Sequence, residues 1–299
     1  MLELLGVTKV YRGGKRAVDE VTMRLGTGLV GLLGPNGAGK SSLMRITATI
    51  TRPTSGRLLF EGADVVAAPN RLRRVLGYLP QDFGVYPHLT GREFLAYLAA
   101  VKGLSASSAR RRIDELLALV NLTEAAKRPL RTYSGGMLRR VGIAQALLND
   151  PRVLIVDEPT AGLDPEERIR FRDLLSDLAG DRLVLLSTHI VSDIESVATE
   201  IAILARGRLY CHTTPEGLLE STRGWVWQAE VNVNDIAELR TRFRVSRAMR
   251  TASGVRVRLL SPTPPFPGAV PVPPDLEDAY LKVIHAPHPH AAATEGVRR

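Results

Sequence analysis

A single cysteine, Cys211, excludes an internal disulfide and fits a reducing compartment, where a lone thiol reads as a small buried hydrophobe. Nothing approaches the roughly 18 consecutive apolar residues of a spanning helix; runs such as Val153-Leu154-Ile155-Val156 and Leu183-Val184-Leu185-Leu186 are strand-sized. Any role at a membrane therefore falls to a partner that supplies the spanning part. A basic-then-apolar leader is missing from Met1-Leu2-Glu3-Leu4-Leu5-Gly6, which reads as a chain that stays in the cytoplasm. Aromatics are scarce, at 5% of 299 residues. None interleave with the clusters Arg71-Arg73-Arg74, Arg110-Arg111-Arg112 and Arg139-Arg140, which read first as solvated faces, with lipid headgroups or nucleic acid as lesser alternatives. The net charge of +9 speaks to solubility and non-specific attraction to anionic surfaces.

What is present is a core-forming apolar content of 44% on a length that fits one large or two modest domains. The chain is organised around Gly34-Pro35-Asn36-Gly37-Ala38-Gly39-Lys40-Ser41-Ser42, which follows the apolar run Leu29-Val30-Gly31-Leu32-Leu33 and precedes the helical pattern Leu43-Met44-Arg45-Ile46. Glycines let the backbone curl so that successive N–H groups face inward, and a helix N-terminus behind them favours polyphosphate oxygens. Lys40 adds a charge that reaches the β- and γ-phosphates, and the Ser41 hydroxyl is placed to ligate Mg²⁺. A turn that binds nothing has no use for that lysine.

Upstream, Leu2 to Val10 and Ala17 to Leu25 alternate as strands around the turn Arg12-Gly13-Gly14-Lys15. Tyr11, where the first strand ends, either stacks on a purine or covers the hairpin. Downstream, Thr51 to Gly56 is a turn cluster, and Arg57 to Phe60 and Val75 to Leu79 read as strands. Gln81 follows the second, at a strand end where ligand-facing side chains emerge in an open α/β sheet; the alternative is an ordinary loop amide. From Thr90 to Val120 the period becomes helical, within an insert of about 82–150. It closes at Tyr133-Ser134-Gly135-Gly136-Met137, a helix start with oxyanion-binding geometry, although a bare Ser-Gly-Gly is also a common N-cap.

Pro151 to Thr160 is a buried strand delivering two adjacent acids at its end, which buried strands do not favour. Asp157 suits a metal-bound water and Glu158 the orientation of the attacking water; the alternative is a structural pair capping the helix from Pro165, for which Asp164 is itself a candidate cap. The strand Leu183 to Leu186 ends in Ser187-Thr188-His189 and leads into an amphipathic Ile190 to Val197. One histidine at a strand end can be structural; here His189 follows the acid-bearing strand by one helix, so it would project from the same sheet edge toward the same phosphates.

Beyond about Ser221 the composition shifts. Trp225 to Val231 and Val255 to Leu259 read as strands, Asn234 to Arg240 as a short helix and Ser261 to Pro274 as an extended link, so that 221–285 is a small appended α+β unit. The tail 286–299 is read as disordered; His285, His288 and His290 have the look of a metal-binding tract but fit a solvated tail better. The two tryptophans are either core or a docking patch.

The order and separation of these motifs resemble the nucleotide-binding subunits of ABC transporters over about residues 1–220. The resemblance implies a P-loop NTPase α/β fold: an N-terminal antiparallel β subdomain, a RecA-like core and an α-helical insert. It places Tyr11 at adenine, Gly34 to Ser42 around ATP and Gln81 in the Q-loop near Mg²⁺. Ser134, Gly135 and Gly136 become the signature, Asp157 the Walker B metal residue, Glu158 the catalytic glutamate, Asp164 the end of the D-loop and His189 the switch histidine. The family signature commonly reads Leu-Ser-Gly-Gly-Gln; Tyr133 and Met137 depart from it, and the glutamine's polar contact is lost. This form, with Ala161-Gly162-Leu163-Asp164 and the late segment Pro274 to Leu281, resembles type-2 exporters of drugs, antibiotics or polymers. Implied partners are a separate transmembrane permease, which brings the chain to the cytoplasmic face of the membrane, and a second copy or related ATPase subunit facing it head to tail. No specific nucleic acid is expected. The rival class, a soluble ABC-type ATPase on ribosomes or DNA, usually carries two cassettes or long coiled coils, and neither is present here.

Overall fold

The computed structural model describes residues 1–286. His288, His290 and the rest of the tail read as disordered lie outside them. The chain forms two compact units, Met1–Leu209 and the part from Tyr210 onward; the composition shift in the sequence comes later, beyond about Ser221.

In the first unit β1 (Leu2–Val10) and β2 (Arg16–Leu25) pair antiparallel, with Leu2 opposite Leu25 and Leu4 opposite Met23. β3 (Gly28–Leu33) is almost wholly buried and runs into the glycine-rich loop, which α1 (Lys40–Thr47) leaves. β4 (Ser55–Phe60) pairs with β1 and with the short β5 (Ala63–Asp64), giving a sheet of order β2-β1-β4-β5. After α2 (Pro69–Arg73) and β6 (Leu76–Leu79) come the insert helices α3 (Gly91–Val101) and α4 (Ala106–Leu119), then α5 (Gly135–Ala146). Thr90 and Glu93 form a capping box at α3, and Ser105 caps α4, so these helices start where their side chains satisfy free N–H groups. β7 (Val153–Asp157), α6 (Pro165–Leu178), β8 (Leu183–Thr188) and β9 (Glu200–Ala205) complete a sheet of order β9-β3-β8-β7-β6, and β10 (Arg208–Thr213) starts at the end of this unit.

The strands from β9 across to β6 are parallel, and continuous apolar runs suit strands buried on both faces. The register sets Leu33 beside Thr188 and Asp157 beside Ser187, so the C-terminal ends of β3, β7 and β8 share one edge. One buried cluster joins the two sheets through α1, with Leu4 and Met23 from one side and Leu32, Ile155 and Leu185 from the other around Leu43 and Met44.

The second unit holds α7 (Pro215–Glu220), β11 (Val226–Val231), α8 (Ile236–Arg242), β12 (Arg244–Arg250), β13 (Val255–Leu260), β14 (Val270–Pro271) and α9 (Leu276–His285). Its sheet, of order β12-β13-β11-β14, packs around Ala229, Leu239, Val255, Val257 and Leu259. Of the two tryptophans, Trp227 packs on that core with its indole N–H donated to Ser261 O at 3.0 Å. Trp225 is exposed under the Lys282 ammonium, 4.4 Å from the ring centroid.

Several expectations change. Ile190 to Val197 makes only a 3-10 turn at Val191–Asp193, because the Asp193 side chain turns inward to neighbouring hydroxyls. Cys211 is half-buried on β10. The arginine clusters are only partly solvated: Arg112 donates to Leu147 O at 3.0 Å, and Arg140 pairs with Glu167 at 3.3 Å. The extended link contains β14, and α9 starts just beyond it with an Asp275/Asp278 capping box. Among the described residues no helix is long and apolar enough to cross a membrane.

Candidate functional site

The glycine-rich loop is packed where only glycine fits. A Cβ on Gly34 would lie 2.2 Å from Leu204 O, and one on Gly39, at φ +104°, would lie 2.1 Å from Ala17 O. The loop therefore delivers Lys40 inward, 5% exposed. Its Nζ donates to Gly34 O at 2.7 Å and to Pro35 O at 3.3 Å, and pairs with Glu158 Oε1 at 3.2 Å.

Asp157 ends β7 and Glu158 follows it, both buried. Glu158 has φ +48°, a left-handed conformation that a residue with a side chain holds only when its surroundings fix it. Its N–H donates to Ser187 O at 3.1 Å and to Ser187 Oγ at 3.2 Å. Ser187 Oγ in turn donates to Asp157 Oδ1 at 2.5 Å. Glu158 Oε2 meets His189 Nδ1 at 2.7 Å. One carboxylate thus touches the loop lysine with one oxygen and the strand-end histidine with the other.

Burial pushes the Asp157 carboxyl above the usual carboxylate range; hydrogen bonds from Ser187 and Ser41 and the Lys40 charge pull the other way. A desolvated carboxylate beside the Ser41 hydroxyl is a hard-oxygen donor pair, the chemistry that suits Mg²⁺.

Lys40, Ser41, Glu158 and His189 line an open cleft of about 430 Å³ together with Asn36, Gly37, Ala38, Ser42 and Gln81. Tyr11, 37% exposed, donates its hydroxyl to Ser42 Oγ at 3.2 Å, which ties the end of β1 to the loop. A neighbouring cleft of about 560 Å³ is lined by Gln81, Phe83, Gly135, Arg139 and Leu163. Gln81 borders both, so the two hollows meet along that loop.

Ser134 and Gly135 are exposed and do not line the Lys40 cleft; Ser134 Oγ caps α5 by accepting from Met137 N at 3.2 Å. Gly136 is buried against Glu167. Tyr133, the departure before the Ser-Gly-Gly turn, is buried and donates to Ala125 O at 2.8 Å, with Gly91 leaving room for its ring hydroxyl. It anchors the turn from inside the insert. Asp164 accepts from Glu167 N at 2.9 Å and caps α6.

Sequence reading missed Ser187, which orients both acids, and Arg139, whose Nη1 donates to Gln81 O at 2.6 Å. The signal for Ser187 lay in its place before Thr188-His189, opposite the acids across one strand pair. Arg139 carries no local signal, since its partner lies 58 residues away.

The loop, the acid pair and the strand-end histidine on a parallel sheet define a P-loop nucleotide triphosphatase. Residues 18–161 match the family described as ABC transporter. The chain is 40% identical over 225 residues to the daunorubicin/doxorubicin resistance ATP-binding protein DrrA of Streptomyces peucetius, covering 75% of this chain and 68% of that one. It is 41% identical over 223 residues to an ABC transporter ATP-binding protein of Nostoc sp., covering 71% and 66%. A dimeric ATP-binding cassette bound to ADP and Pi superposes with a TM-score of 0.65 at 27% identity, covering 72% of this chain and 98% of that one. The chain belongs to the ATP-binding subunits of ABC transporters, an ATPase family.

Proposed function

We propose that this chain hydrolyses ATP as a head-to-tail pair and thereby powers an exporter whose spanning part is a separate permease at the cytoplasmic membrane. The observation that carries the reading is the Glu158 carboxylate held between Lys40 and His189 at 3.2 and 2.7 Å. That placement suits a glutamate orienting the water that attacks the γ-phosphorus, with His189 steadying it and Lys40 neutralising phosphate charge. Tyr11 stacks on adenine, and the loop N–H groups from Gly34 to Ser42 cradle the phosphates. Ser41 and Asp157, with Gln81 nearby, would hold Mg²⁺, which supplies charge neutralisation at the β- and γ-oxygens.

Ser134 and Gly135 are exposed while Gly136 is buried, and none of the three lines the Lys40 cleft, which suits a turn whose open side serves the partner copy's nucleotide; Asp164 belongs to the loop at the same seam. The match to a daunorubicin/doxorubicin resistance ATP-binding protein supports the drug-exporter subgroup, and the second unit is read as an accessory domain. Glu158→Gln should abolish turnover, by about 100-fold or more, while ATP binding persists and a closed dimer accumulates. Wild-type turnover in that variant, or full turnover in a strictly monomeric preparation, would overturn the proposal; sedimentation and phosphate release measure both.

A further inference from the structure

The buried acid Asp193 plays no part in the chemistry above. It is 1% exposed, in the 3-10 turn that follows β8. Its Oδ2 accepts from two hydroxyls, Thr160 Oγ1 at 2.5 Å and Thr188 Oγ1 at 2.9 Å. Thr160 stands two positions after Glu158, and Thr188 immediately precedes His189. The Thr188 hydroxyl also accepts from Ile190 N at 3.0 Å, so the turn carrying His189 is held on both sides of the histidine.

One carboxylate oxygen therefore ties together the two backbone segments whose side chains meet as Glu158 and His189. This matters because Glu158 is in a left-handed conformation, which persists only where the surroundings over-determine it. Ser187 fixes the upstream side, through the Glu158 N–H. The downstream side is closed by Thr160 and Asp193.

A purely structural role is a poor account of this acid. Its second oxygen, Oδ1, is buried with no hydrogen-bond partner, and Arg168 Nε, the nearest cation, stops at 3.8 Å and is itself without one. Incompletely satisfied buried acids are expensive, and an apolar residue would serve packing better.

We propose that Asp193 is a positioning residue for ATP hydrolysis: through Thr160 and Thr188 it sets the distance between the Glu158 carboxylate and His189. Neither Asp193 nor its two threonines line the Lys40 cleft, so the acid governs the rate of the chemical step and leaves binding alone. The inference rests on the ATPase reading.

Isosteric variants of the full chain test it. Thr160→Val and Thr188→Val each delete one tether without changing side-chain volume, and each should lower kcat by about 10- to 100-fold, the scale of a small misplacement of catalytic groups. KM for Mg-ATP and the dissociation constant for ATP should stay within about twofold. The double variant should lose little more than either single one, because both bonds end on the same oxygen. Thr160→Ser and Thr188→Ser, which keep the hydroxyl, should recover most of the rate. An unchanged kcat in both valine variants overturns the proposal, as does a fall in kcat that serine does not restore, or a KM that rises in step. If the wild-type chain itself fails to turn over ATP, the ATPase reading fails, and the two failures are told apart.

Discussion

The two glycine-containing turns proposed to bind phosphate are built in opposite ways. The Gly34–Ser41 loop is packed from behind by backbone carbonyls, and its lysine is already engaged by Gly34, Pro35 and Glu158. The Ser134-Gly135 turn faces outward, and a Cβ on Gly135 would meet nothing within 4 Å. The difference teaches that glycine in the first turn is required by the fold itself, whereas glycine in the second leaves room for something outside the chain, which on the proposed head-to-tail reading is the partner's nucleotide.

Exchanging glycine for alanine in each cradle breaks this comparison most sharply. Gly39→Ala forces a Cβ into Ala17 O at an unfavourable φ, so the loop distorts and ATP binding falls by about 100-fold or more. Gly135→Ala should fold with a wild-type melting temperature and bind ATP normally, yet lose turnover by a similar factor, because the methyl blocks only the partner's nucleotide. Calorimetric titration and phosphate release separate the two, and a melting temperature that drops for Gly135→Ala would refute the contrast.

Asp157 sharpens the comparison from the stability side. Burial raises its carboxyl, so the folded state holds the proton more tightly than the unfolded one, and ionisation costs the fold stability above the folded pKa. Asp157→Asn keeps an acceptor for Ser187 and removes that cost. Measured without nucleotide or magnesium at pH 7 to 8, its melting temperature should rise above that of the unsubstituted chain, while turnover is lost. The gain should shrink as pH falls toward about 4 and the wild-type carboxyl takes up its proton.

The smallest effect belongs to the link between the cradles. Arg139 on α5 donates to the carbonyl of Gln81, and Gln145 on the same helix donates to Tyr78 O at 2.9 Å, so α5 grips β6 and the Gln81 loop that borders the Lys40 cleft. Arg139→Ala should leave ATP affinity unchanged and reduce turnover by about 3- to 10-fold, with the Gln81 loop more open to proteolysis.

Much of this was legible in the residues. β1, β2, β3, β7 and β8 follow period-two or continuous apolar runs; Asp157, Glu158 and His189 stand at strand ends that one parallel sheet brings to a common edge, and the loop after β3 carries Lys40 to Glu158 at that edge. The appended unit was legible only in part. β12, with its Arg-rich and mostly exposed side chains, has no apolar alternation to announce it, and Asp278 is buried only because Arg258 and Ser246 fold over it.

By itself the sequence determined the phosphate loop, the acid pair and the histidine, because each depends on residue type at a fixed local spacing. Tertiary structure alone decided that Ser187 holds both acids, that Asp193 joins Thr160 to Thr188 across 33 and 5 residues, and that Arg139 reaches Gln81. Such contacts depend on strand register and helix packing, which bring together side chains that no local pattern relates.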